Sequence, residues 1–108
     1  MGKQVKPLPL YEFDATTLTV NYQEINGVPY DYPVNYLKII NNSKLPVWIS
    51  YDGTNDCDFV RVDSDSILDL IKESRSNQLA LPKYLTVYIK STAVSVGQIV
   101  MVAYTIDY

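Results

Sequence analysis

The side chains best suited to chemistry in this sequence are the acids and amides of one short acidic stretch. Asp52, Asn55, Asp56 and Asp58 could supply hard oxygen ligands to a calcium ion from a single loop. Their spacing departs from that of an EF-hand, because a glycine directly follows the first aspartate and no glutamate closes the loop. The pattern therefore favours an Asx turn whose charges keep a sheet edge soluble, and calcium is the alternative.

The rest of the composition argues against catalysis. The chain has no histidine, which removes the commonest general base and the commonest zinc ligand. Its one cysteine, Cys57, stands between Asp56 and Asp58, whose charges disfavour a thiolate nucleophile. Paired carboxylates can hydrolyse glycosides, but here they crowd a predicted turn with no apolar pocket to raise one pKa. We therefore predict a protein that is not an enzyme and has no catalytic residue and no cofactor.

Charge and hydropathy restrict the partners. The net charge of −3 argues against nucleic acid, whose binding needs a basic stripe to neutralise phosphates. No apolar run approaches the length of a membrane span, and the first ten residues lack the apolar core of a signal peptide. A single cysteine cannot form an internal disulfide, which agrees with synthesis in a reducing cytoplasm. We expect no nucleic-acid partner and no membrane partner.

Length and composition predict a single domain over residues 11–108, preceded by an arm at 1–10. The 108 residues are 47% hydrophobic, enough for one core. The arm contains two prolines, which favour extended backbone. It is either a frayed terminus or a clasp that docks Val5, Leu8 and Leu10 on a neighbouring subunit.

The stretch at 36–53 is the centre of the predicted fold. Two apolar runs flank the polar residues 41–44, whose asparagines and serine are typical of turns. We predict a β-hairpin here. It carries Trp48, which is expected to lie in the core because it stands inside the best-defined strand.

Period-two alternation predicts further strands. Residues 16–22 and 84–90 alternate as half-buried strands, and 98–106 is apolar on both faces, which indicates a central strand or one covered by a partner. Residues 64–76 fit a strand, which we favour, or a short helix near 66–74. Together these segments predict an all-β, antiparallel, jelly-roll-like β-sandwich of seven or eight short strands.

Tyrosine dominates the aromatic residues, with 10 Tyr against 2 Phe and 1 Trp. Tyr30 and Tyr32 are bracketed by Pro29 and Pro33, so their segment is an edge or a surface loop. They either form a contact patch or pack on the flank of their own domain. Tyrosine suits interfaces, because its ring packs while its hydroxyl stays hydrated.

Several short motifs, in order, resemble those of small virion proteins of tailed bacteriophages. The motifs are LKIINNS at 37–43, VWISYDG at 47–53, DFV at 58–60, LALPK at 79–83, VYIK at 87–90 and GQIVMVAY at 97–104. The resemblance covers roughly residues 35–105 and leaves the arm outside. It implies a β-sandwich building block of a phage particle, made in the host bacterial cytoplasm and located in the virion. It transfers no catalytic residue.

The leading hypothesis is accordingly a non-enzymatic virion structural protein that assembles with itself and with other virion proteins. Capsid decoration, the head–tail neck or collar, and fibre attachment are its candidate places. The residues proposed for the partner interface are Val5, Leu8, Leu10, Tyr30, Tyr32 and Tyr108. The alternative is a carbohydrate- or receptor-binding β-sandwich module that uses Tyr30, Tyr32 and Trp48 as stacking platforms.

Overall fold

Two antiparallel sheets pack face to face in the computed structural model, which describes residues 4–27, 29–69, 81 and 84–107. The predicted all-β antiparallel sandwich is thus confirmed. The strands defined within these residues are β1 (Gln4–Pro7), β2 (Tyr11–Asp14), β3 (Gln23–Glu24), β4 (Tyr36–Ser43), β5 (Val47–Ser50), β6 (Asp58–Val60), β7 (Ser64–Asp69), β8 (Tyr88–Lys90) and β9 (Gly97–Asp107). A 3-10 helix spans Ala15–Thr17.

The five-stranded sheet is built on the long last strand. Its order is β1-β9-β4-β7, and β2 also pairs with β9. The four-stranded sheet has the order β3-β8-β5-β6. The prediction of a central strand at 98–106 is confirmed, because β9 has β4 along one edge and β1 and β2 along the other.

The core lies between the sheets and follows the predicted alternation. The five-stranded sheet contributes buried side chains from β4 and β9, and the four-stranded sheet contributes them from β5, β8 and the segment before β8. They include Leu37, Ile39, Val47, Ile49, Leu85, Val87, Ile89, Ile99, Met101 and Ala103. Burial of these aliphatic side chains is the main force that holds the two layers together.

The predicted hairpin at 36–53 is wrong, because β4 and β5 belong to different sheets. The chain crosses between layers here, and the buried side chain of Asn41 holds the crossing. Its Nδ2 donates to the carbonyls of Leu45 (2.9 Å) and Val60 (3.1 Å), while its Oδ1 accepts from the backbone N–H of Ser43 (3.0 Å). Side-chain bonds thus satisfy the crossing backbone, and β4 pairs with β7 and β9 instead of β5.

The strand predicted at 16–22 is also wrong. Asp14 caps the 3-10 helix Ala15–Thr17, because its carboxylate accepts a hydrogen bond from a backbone N–H of that helix. The alternation is lost in consequence. Leu18 is fully buried and Val20 is 63% exposed, although the pattern placed them on one face.

The predicted arm at 1–10 is extended where the structure describes it, but it is part of the sandwich. β1 pairs with β9 of the same chain, with Val5 opposite Ile106 in the register. The N–H of Leu8 donates to the carbonyl of Ala103 at 3.0 Å, and Leu8 packs against the core. The change in composition at the start of the chain therefore marks an edge strand, which tolerates proline.

The ambiguous segment 64–76 is a strand in the part described. β7 covers Ser64–Asp69, whereas 70–76 lies outside the described residues. Leu81 forms an isolated antiparallel bridge with Val34. No helix within the described ranges is long and apolar enough to cross a membrane.

Candidate functional site

The acidic loop after β5 is an Asx turn. The backbone N–H groups of Thr54 and Asn55 each donate to Asp52 Oδ1 at 2.8 Å, and the Ser50 hydroxyl also donates to it at 2.8 Å. These bonds, with the Asn55 backbone contact first, lower the pKa of Asp52 because they stabilise its charged form. Asp52, the first of the four residues considered as calcium ligands, thus closes a turn.

The other two acids of that set bond to different elements. Asp56 accepts a hydrogen bond from the Tyr22 hydroxyl and lies 3.1 Å from Lys90 Nζ, while Asp58 accepts from the Ser66 hydroxyl of β7. Within the described residues, no three or more His, Cys, Asp or Glu side chains are grouped closely enough to hold a metal ion. Asp56 and Asp58 therefore bond to different elements, and each connects the loop to a neighbouring part of the chain.

The tyrosines proposed for the partner interface have different environments. Tyr30 is a core residue at 2% exposure, so its proposed surface role is wrong for the single chain. Its ring packs edge-to-face on Tyr11 and its hydroxyl donates to the Pro9 carbonyl, and burial raises its pKa. Tyr32 is 43% exposed, and Lys6 Nζ lies 4.2 Å from the centre of its ring.

The remaining proposed interface residues lie near the N-terminus or at the last position. Leu10 is 57% exposed, Leu8 is half-buried against the core, and Tyr108 lies outside the described residues. A groove of about 220 Å³ follows the turn from Lys6 to Tyr11. Leu10 and Tyr32 are thus the two proposed residues that the described chain presents clearly to solvent.

A larger apolar surface covers the side of the five-stranded sheet that faces away from the core. Among the outward positions of three adjacent strands, which also include Lys38, Asp65 and Asp69, six are aromatic or aliphatic and at least partly exposed. We call this set the apolar outer face: Tyr36 and Ile40 of β4, Ile67 of β7, and Val100, Val102 and Tyr104 of β9. Its most exposed member, Ile67, is 52% exposed.

Cross-strand pairs give the apolar outer face its order. Ile40 stands opposite Val100, and Tyr36 stands opposite Tyr104, with ring centres 5.6 Å apart in an edge-to-face arrangement. Such pairs stabilise the sheet and also hold the rings in fixed positions. The paired side chains are therefore preorganised, which lowers the entropic cost of binding a partner.

Charged side chains lie within and around the apolar outer face. Lys38, at its centre, faces Val102 on one side and Ile67 on the other, and its Nζ lies 3.5 Å from Asp65. Glu12 stands opposite Val100 at one margin. Protein interfaces usually carry their charges at a polar rim, and here the central lysine is compensated by Asp65.

The sequence indicated only part of this face. The apolar second side of 98–106 pointed to Val100, Val102 and Tyr104, whereas Tyr36 and Ile40 were missed. The available signal was that residues 36–40 carry apolar side chains on both faces of the strand. Burial of only one face does not account for this pattern.

Trp48 lies on the outer side of the four-stranded sheet and is partly exposed, so the expected core position is wrong. Val47 and Ile49, its neighbours along β5, take the inward positions, and the pleat turns Trp48 outward. It stands between Lys90 of β8 and Phe59 of β6 in the register. Its ring packs on that of Phe59 with centres 5.0 Å apart.

The exposed side of the indole borders an open groove of about 320 Å³. We call it the Trp48 groove, lined by Val20, Trp48, Asp56, Lys90, Ser91 and Thr92. The acidic loop forms one wall, since Asp56 joins Lys90 and Tyr22, and Lys90 Nζ lies 4.6 Å from the centre of the Tyr22 ring. The Tyr22 and Lys90 bonds lower the pKa of Asp56, which keeps the wall charged at neutral pH.

Comparison of the chain with protein-family models, with curated proteins and with solved structures gave no match.

Proposed function

We propose that this chain is a non-enzymatic structural protein of a bacteriophage particle, which associates with copies of itself through the apolar outer face and with other virion proteins. Its place would be on the capsid, in the head–tail neck or collar, or at a fibre attachment, after synthesis in the host cytoplasm. The sequence resemblance supports the class of protein. The observation that carries the proposal is the set of six partly exposed apolar residues ordered on one sheet face.

The size of this face agrees with repeated assembly. Three strands about 4.8 Å apart and five residues along β4 define a central patch of a few hundred Å². This area is below the roughly 800 Å² that each partner buries in a standard stable interface. A single pair of copies would therefore bind weakly, and a symmetric particle would multiply the weak contact into a stable one.

The charges on the face suit a second copy of the same chain. Lys38 lies at the centre, while Glu12 stands at the β2 margin and Asp69 stands opposite Tyr36 at the β7 margin. Lys38 is compensated by Asp65 of its own chain, and a two-fold axis displaced from the centre would bring Lys38 of one copy towards an acidic margin of the other.

The proposal is tested by sedimentation velocity over a concentration series. Wild type should associate as concentration rises, and Val102→Asp should remain monomeric because it replaces an apolar side chain beside Lys38 with a carboxylate that association would have to desolvate. Val94→Asp is the matched control, since Val94 is 65% exposed in the turn before β9. It should associate as wild type does.

Near-UV circular dichroism of both variants distinguishes lost association from lost folding. A wild-type chain that stays monomeric at every concentration would refute self-assembly. Association that survives Val102→Asp in a folded variant would place the interface elsewhere.

A further inference from the structure

We infer that the Trp48 groove is a binding site for a neutral saccharide. It lies on the outer side of the four-stranded sheet, whereas the apolar outer face lies on the opposite side of the sandwich. A chain that assembles through one sheet would therefore present the other to solvent. The inference does not require the proposed assembly, since the groove is formed by a single chain.

The first argument is the fixed aromatic surface. The Trp48 ring packs on Phe59 and borders the groove, and its strand is paired on both sides, with β6 and with β8. A large, flat, apolar ring that remains partly exposed offers a stacking surface for the C–H side of a sugar ring. Because packing already holds the indole in place, little ordering entropy is lost on binding.

The second argument is the polar wall beside the ring. Lys90 and Asp56 are bonded to each other, yet their side chains keep 28% and 52% of their accessible surface. An ammonium can donate three hydrogen bonds and a carboxylate can accept several, so both can contact a ligand while they stay paired. Exposed Thr92 adds a hydroxyl at the rim. Donors and acceptors beside an apolar ring are what a polyhydroxylated ligand requires.

The charge balance indicates that the ligand is neutral. Lys90 and Asp56 lie 3.1 Å apart and cancel each other, so neither an anion nor a cation gains a net attraction. A purely apolar ligand would strip water from this pair without replacing its hydrogen bonds. The volume of about 320 Å³ lies at the lower end of the roughly 300–1,000 Å³ typical of ligand pockets. One or two sugar rings fit these conditions.

Trp48 is the only tryptophan in the chain, so its fluorescence reports on this groove directly. We would titrate the full chain with maltotriose, N,N′-diacetylchitobiose and galactobiose as neutral probes, and with 3′-sialyllactose as the anionic comparison. At least one neutral probe should change the emission saturably at millimolar concentration. No change with any neutral probe, or a response to 3′-sialyllactose alone, would overturn the inference.

Variants then locate the site by ¹⁵N-resolved NMR titration. Trp48→Phe keeps an aromatic ring against Phe59 but loses stacking area, and Lys90→Met keeps an unbranched stem without its charge. Each should weaken binding about tenfold or more. Val102→Asp, on the other sheet, should leave the affinity unchanged. Affinity that is preserved in folded Trp48→Phe and Lys90→Met would show that the sugar binds elsewhere and refute the inference.

Discussion

Gly97→Ala should be among the most damaging substitutions in this protein. Gly97 begins β9 opposite Ser43 at the end of β4, with φ at +100°. A Cβ atom at this position would lie closer than 3.0 Å to the carbonyl oxygen of Asn42 and 3.2 Å from its carbonyl carbon. These are backbone atoms that cannot rotate away, so β4 and β9 would have to separate where they pair.

The magnitude follows from two contributions. An L-residue in the left-handed region costs about 1–2 kcal/mol. Relief of the backbone clash adds a strain of about 1–3 kcal/mol. We therefore expect the free energy of unfolding to fall by about 2–5 kcal/mol, out of the roughly 5–15 kcal/mol typical of natural domains. At about 4 °C per kcal/mol for a chain of this length, Tm should fall by about 8–20 °C.

Gly27→Ala is the matched control, because a Cβ at Gly27 would have no atom within 4 Å. It should be neutral or slightly stabilising, since alanine restricts the unfolded chain. Urea denaturation followed by Trp48 fluorescence measures both variants, and equal m-values would show that the same surface is exposed on unfolding. If Gly97→Ala unfolded within about 1 kcal/mol of wild type, the close approach of β4 and β9 described above would be wrong.

Three further predictions follow from the crossing between the sheets, the first strand and the acidic loop. Asn41→Leu should lower the free energy of unfolding by about 2–4 kcal/mol, because buried backbone groups lose their hydrogen-bond partners. The control Asn42→Leu, at an exposed position, should change it by less than about 0.5 kcal/mol. Urea denaturation measures both variants. Deletion of residues 1–10 should destabilise the domain by at least about 2 kcal/mol and increase hydrogen exchange at the C-terminal end of β9. An equally stable truncated chain would restore the interpretation of this segment as a separate arm. Asp52 and Asp56 have pKa values lowered from 3.8, so their contribution to stability is complete above pH 3.8 and is lost as pH falls through the lowered values. Asp52→Asn should therefore lose less stability than wild type on acidification below that pH, and an identical acid profile would contradict the Asx turn.

The strands that could be predicted from sequence are those with one clearly buried side. In 84–90 alternate residues enter the core as predicted, although the strand itself spans only Tyr88–Lys90. In 98–106 the buried residues Ile99, Met101 and Ala103 also alternate, because successive side chains of a strand point to opposite faces. The strand at 64–69 was harder to predict because its apolar residues also fit a helix. Its pairing with β4, a long-range contact, decides between the two.

The partners of a strand were much less predictable than its existence. Residues 41–44 have the composition of a hairpin turn, yet the same residues form a crossing between sheets. The difference lies in Asn41, whose amide donates to the carbonyl of Val60 in β6, and in β7 and β9, which occupy both edges of β4. Neither fact can be read from a window of neighbouring residues.

The two candidate surfaces also differ in how far they could be predicted from the sequence. Val100 and Val102 could be recognised as part of a candidate surface, because apolar residues on both sides of a strand indicate that both sides are covered. The Trp48 groove was not recognisable, since it joins Trp48 to Asp56 and Lys90, which come from separate segments and meet only in the folded chain. Trp48 itself was misassigned because it stands inside the best-defined strand, although the alternation places its side chain on the face opposite to that of Val47.

The two surfaces divide the sandwich into a side suited to assembly and a side suited to a ligand. The apolar outer face has aromatic and aliphatic side chains around the Lys38–Asp65 pair, whereas the Trp48 groove combines one aromatic surface with a compensated ion pair. Substitutions in one sheet should therefore leave the function of the other unchanged, since sites without shared partners are usually independent.

Isotope-filtered NOE spectroscopy tests self-association through the apolar outer face most directly. A sample that mixes ¹³C-labelled and unlabelled chains at a concentration where they associate reports only contacts between copies. We expect intermolecular NOEs from the methyl groups of Val100, Val102 and Ile40 to the rings of Tyr36 and Tyr104. Intermolecular NOEs confined to other surfaces, or none in an associated sample, would contradict the proposal.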